Sequence, residues 1–132
     1  QGRQRKAARM IAALLLLAAA ASQPAAERRP VDVRATGDDA LTQRLSDALI
    51  ESLGSARKLR AADGDDKTGL SLVILGNVTP KGDRFGYMVD LVEPGSNLSS
   101  RRLASMTGTC READIARCAA DIVARAERKV GS

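Results

Sequence analysis

The chain has 132 residues, with 21 Lys+Arg against 16 Asp+Glu, a formal charge of +5. That length allows one domain of ordinary size. It contains no His and no Trp, and aromatics make up 2%, which excludes His-based acid–base catalysis, most zinc and haem sites, and aromatic platforms for stacking bases. The surplus charge is local. Up to Pro30 the bases are Arg3, Arg5, Lys6, Arg9, Arg28 and Arg29, and the only acid is Glu27. The remainder is formally neutral, so the basic balance is no sign of nucleic-acid binding.

Arg3, Arg5, Lys6 and Arg9 precede an unbroken small-and-apolar run over 10–21. A spanning helix takes roughly 20 such residues, and this run is shorter. A basic segment, an apolar stretch of this length and then small residues is the pattern of a secretory signal. Ala20-Ala21-Ser22 fits the small-x-small rule, with cleavage before Gln23. The expected organisation is a signal peptide at 1–22, a short linker at 23–30 and one domain at 31–132. It places the protein in the periplasm, with no membrane span after cleavage.

Val31 and Val33 alternate with Asp32 and Arg34, predicting a short strand. Thr36-Gly37-Asp38-Asp39 follows as a turn with several N-cap oxygens. Leu41, Leu45, Leu49 and Leu53, with Ala48, mark one apolar helix face that Gly54 ends. Leu59 marks a brief edge strand, and 63–67 reads as a polar loop. The strongest strand is predicted over 70–79: Leu70, Leu72, Ile74 and Val78 share one face, Val73 and Leu75 the other. Gly76-Asn77-Val78 reads as a bulge or a close backbone approach within it. A turn at 80–83 leads to Phe85, Tyr87, Val89 and Leu91, a second alternating strand, with Met88 and Val92 on its other face. After a turn at 94–97, a polar strand runs from about Arg101 to Thr109, with a bulge or an edge position expected. The last helix starts at a Thr109/Glu112 capping box or at Asp114. Its inner face carries Ile115, Ala119, Ile122, Ala126 and Val130, joined by Cys118 and Val123. The expected fold class is α+β: a small mixed sheet of about four strands with two helices on one face, in the order β-α-(β)-β-β-β-α.

Cys110 and Cys118 are the only cysteines. An exported chain meets oxidising conditions, and their spacing is far wider than Cys-x-x-Cys, so a structural disulfide is expected. Asp63-Gly64-Asp65-Asp66 lacks the Gly and Glu of an EF-hand loop and reads as a solvated turn. Gly-x-Ser-x-Gly, Ser-x-x-Lys and phosphate-loop patterns are absent. Asn97-Leu98-Ser99 matches a glycosylation sequon. No catalytic residue, cofactor or metal ligand is singled out, and the chain is read as a non-enzyme.

Several segments resemble the N-terminal α+β domain of TolB, a periplasmic family of the Tol-Pal system. They are the leucine helix around Leu45, Leu72-Val73-Ile74-Leu75-Gly76-Asn77-Val78, Tyr87-Met88-Val89-Asp90-Leu91, and Ala119-Ala120-Asp121-Ile122-Val123. The same domain type recurs in lipoprotein activators of penicillin-binding proteins and in the curli secretion lipoprotein. The resemblance implies a fold and a compartment; no binding residue is carried over, and the cysteine pair is not part of that pattern.

Two helices on one face can cover only one of the two apolar sets of the 70–79 strand. Val73, Leu75, Met88 and Val92 are therefore the candidate interface, for a second copy of the chain or another envelope protein. The alternative cover is the chain's own segment 24–30 or the 63–67 loop. A second class of function is a small-ligand-binding or hydrolytic periplasmic protein, which a deep polar pocket with a perturbed Ser or Asp would favour.

Overall fold

The computed structural model describes residues 28–66, 69–94 and 100–131. The signal peptide, the start of the linker and the sequon lie outside the described residues. Among the described residues, six strands and two helices form an α+β fold: β1 (Arg29–Ala35), α1 (Ala40–Leu53), β2 (Leu59–Ala61), β3 (Leu70–Ile74), β4 (Thr79–Lys81), β5 (Arg84–Pro94), β6 (Ser100–Arg111) and α2 (Ile115–Val130). β1 runs parallel between β2 and β3, with Val31 opposite both Ala61 and Leu70. β3 pairs antiparallel with β5, whose Gly86 end also takes β4, while β6 runs along β5 from Arg84 to Pro94.

The sheet has two strands more than the expected four: the short β2, and β4, which arises from Gly76. Its φ of +65° is a backbone state that side chains other than glycine rarely adopt. The strand expected over 70–79 therefore ends at Ile74 and resumes as β4, where a turn was expected. The break is pinned from outside: Gly76 N–H donates to Thr36 Oγ1 at 2.6 Å, and Asp38 N–H donates to Asn77 Oδ1 at 3.1 Å. The predicted linker also gives up two residues, because Arg29 and Pro30 pair with Leu59 and Arg60 as the start of β1.

Both helices pack on one sheet face. α1 is capped by Asp39, whose carboxylate accepts from Thr42 N–H at 3.1 Å and from the Thr42 hydroxyl. The leucine stripe works as its spacing predicts, with Leu45, Leu49 and Leu53 fully buried. α2 does not use the capping box: Thr109 lies inside β6 opposite Gly86. A 3-10 turn, Glu112–Asp114, leads into the helix instead, with no side-chain cap. Its alanine-rich face buries Ala119, Ile122, Val123 and Ala126 against Leu70, Leu72, Ile74, Phe85, Val89, Leu91 and Met106. Small side chains let the helix lie close to the sheet. Cys110, at the end of β6, is bonded to Cys118 in the first turn of α2, with Cα atoms 6.2 Å apart.

Candidate functional site

The opposite sheet face carries no helix among the described residues, and it holds all four candidate interface residues. Ser71 and Val73 point there from β3, and Met88, Asp90 and Val92 from β5, as alternation away from the buried Leu72, Ile74, Val89 and Leu91 requires. β1 adds Pro30, Asp32 and Arg34 on the same parity. Val73 and Val92 are half-buried, whereas Leu75 is 38% and Met88 43% exposed.

These residues divide between two shallow hollows. Val73 and Val92 line a cleft of about 790 Å³ with Asp32, Arg34 and Ser71, rimmed by Asp63, Gly64 and Asp66. Leu75 and Met88 line a second of about 500 Å³ with Asn77 and Thr107. The 63–66 loop thus borders the Val73–Val92 cleft. Asp66 shapes that loop. It forms a two-pronged pair with Arg60, at 2.8 and 2.9 Å, and accepts from Asp63 N–H at 2.8 Å. The Arg60 guanidinium, then the Asp63 backbone, hold the Asp66 carboxyl well below the usual carboxylate range. Asp66 is thereby engaged in closing the turn.

Between the hollows sits Asp90. It is only 8% exposed, and its Oδ1 is buried without a hydrogen-bond partner. Its Oδ2 forms an ion pair with Arg102 Nη1 at 3.8 Å, too long for a hydrogen bond. A β-bulge produces that approach. Register shifts between Leu91 and Val92, which pair with Ala104 and Arg102, so Leu103 is the extra residue. Without it Arg102 would fall on the helix side. One row across the face therefore reads Arg34, Val73, Asp90, Ser105. Arg34 pairs with its neighbour Asp32 at 2.6 Å, with both side chains well exposed.

Asp90, Arg34 and Arg102 were not among the residues singled out from sequence. The signal was present for Asp90: a lone acid between Met88 and Val92 on the face opposite Val89 and Leu91. For Arg102 the sequence showed a basic pair with Arg101, but not its side of the sheet, which depends on the bulge.

No protein-family model and no curated protein matches the chain. Among solved structures, a protein described only as uncharacterized is similar to 77% of this chain over 92% of its own. Its TM-score is 0.52 at 12% identity. A PelC dodecamer from Paraburkholderia phytofirmans is similar over 79% of this chain and 88% of its own, at TM-score 0.43 and 18% identity. The first of these shows a shared fold and nothing about activity.

Proposed function

We propose that the protein is a non-enzymatic periplasmic domain that binds another protein through the open face of its sheet. The observation that carries this reading is the placement of Val73, Leu75, Met88 and Val92 on one face that no described helix covers, around the buried carboxylate of Asp90. Apolar residues gathered on an open face favour an interaction site. The Cys110–Cys118 disulfide supports an oxidising compartment, as does the signal pattern. Among the described residues no helix is long and apolar enough to cross a membrane. The resemblance to the TolB N-terminal domain fits the same compartment. The partner is a second copy or an envelope protein, with no cofactor and no nucleic acid.

Photo-cross-linking in the cell envelope tests the reading. A cross-linker at Val73 is expected to trap protein adducts, and one at Arg128, on the helix side, is not. Equal yields at the two positions, or none at Val73, overturn it.

A further inference from the structure

We infer that the open face is self-complementary and pairs with a second copy of this chain, Arg34 of each copy meeting Asp90 of the other. This inference names the partner within the function proposed above and rests on that reading.

Val73 lies opposite Arg34 on β1 and opposite Asp90 on β5. Adjacent strands are about 4.8 Å apart, so the cation and the anion flank Val73 at equal distances on opposite sides. Two such sheets packed face to face, related by a twofold axis running above β3, bring Val73 onto Val73. The same rotation carries Arg34 onto the facing Asp90, twice per dimer. A closed pair of this kind is isologous, each patch serving as donor and acceptor.

Both partners have a reason to exchange. Arg34 is held only by an exposed ion pair with Asp32, a type of contact that contributes little. Asp90 is buried, with Oδ1 lacking a donor and Oδ2 in an ion pair with Arg102 at 3.8 Å that is too long for a hydrogen bond. Face-packed sheets stand about 10 Å apart, a gap that a long guanidinium side chain and a short carboxylate bridge together. A guanidinium delivered from the facing sheet meets the small exposed part of the Asp90 side chain and adds a second cation beside Arg102.

The surroundings obey the same symmetry. Leu75, in line with Val73 on the axis, meets its own counterpart.

The test is light scattering on the full chain, with Arg34→Asp and Asp90→Arg made singly and then mixed. The unsubstituted chain is expected to be a dimer. Each single reversal faces like with like at both contacts and weakens association by more than about tenfold. An equimolar mixture of the two variants recovers the dimer mass, because every contact between unlike chains again joins opposite charges. A monomeric parent chain, a dimer indifferent to both reversals, or a mixture no heavier than its components overturns the proposal. Association through the apolar run at 10–21 belongs to the indifferent outcome.

Circular dichroism establishes whether Asp90→Arg folds, and cysteine cross-linking decides between the outcomes if it does not. Val73→Cys is expected to form a disulfide dimer faster than Met88→Cys, although Met88 is the more exposed of the two. An equal or reversed order overturns the twofold. A monomer that still cross-links from Val73 to a different protein overturns this inference and leaves the function proposed above standing.

Discussion

The hydroxyl of Thr42, in the first turn of α1, accepts a hydrogen bond at 3.0 Å from the backbone N–H of Val78, in the link between β3 and β4. The same hydroxyl donates to the Asp39 cap. One fully buried oxygen therefore ties the start of a helix to the far end of a broken strand. Thr42→Val keeps the shape, removes both bonds and strands a buried N–H. The expected cost is about 1–3 kcal/mol, the penalty for leaving such a donor unpaired. Urea unfolding of the variant beside the parent checks it, and Thr42→Ser is expected to retain most of the stability.

Reduction of the Cys110–Cys118 bond is expected to destabilise the fold by roughly 2–3 kcal/mol, the scale for a short closed loop. Unfolding midpoints with and without reductant measure it. A Cys110→Ala/Cys118→Ala chain is expected to match the reduced protein and to be insensitive to reductant.

Acid acts on the two carboxylates that the fold uses as acceptors. The Thr42 hydroxyl, foremost, lowers the Asp39 carboxyl, and Arg60 lowers Asp66 further. Both are depressed below their unfolded values. Their contributions are therefore complete above the ordinary carboxylate range near pH 4 and are lost as pH falls toward the folded values. The expected result is a stability profile that declines below about pH 4. Asp66→Asn is expected to flatten that decline and leave stability at neutral pH lower than in the parent.

Tyr87 lies across Gly108, its register partner on β6, so closely that a methyl group there would stand 2.8 Å from the ring Cζ. Burial pushes the Tyr87 phenol above its ordinary range. Gly108→Ala is expected to turn the ring outward and return its titration toward the ordinary value. Tyr87 is the only tyrosine, and there is no Trp. Ultraviolet absorbance between pH 9 and about 12 thus reads this one side chain.

What local pattern encodes was legible in the sequence. Leucines in steps of four disclosed the buried face of α1, and alternation separated Leu72 and Ile74 from Val73. Both signals arise within a few residues of chain. The pairing of Val31 with Leu70 joins segments far apart in sequence, so the parallel placement of β1 between β2 and β3 left no local trace. Gly76 was recognised as irregular, yet its positive φ depends on Thr36 and Asn77 docking the turn before α1. The four interface candidates landed on one face because period-two alternation fixes facing. The facing of Arg102 was hidden for a different reason: it reaches that face only through Leu103, the extra residue of the bulge.

The central position of β1 also governs the order of assembly. β1 leaves the ribosome ahead of every other described element, yet both its edges are hydrogen-bonded only after β2 and β3 have been made. Until then its backbone groups are open to any other extended chain. The nascent protein therefore cannot add strands to a growing edge in the order of synthesis; it closes around its first strand. A chain cut short before Leu70 keeps α1 and β2 but leaves one side of β1 unsatisfied. Such fragments are the species that holding chaperones and proteases have to clear.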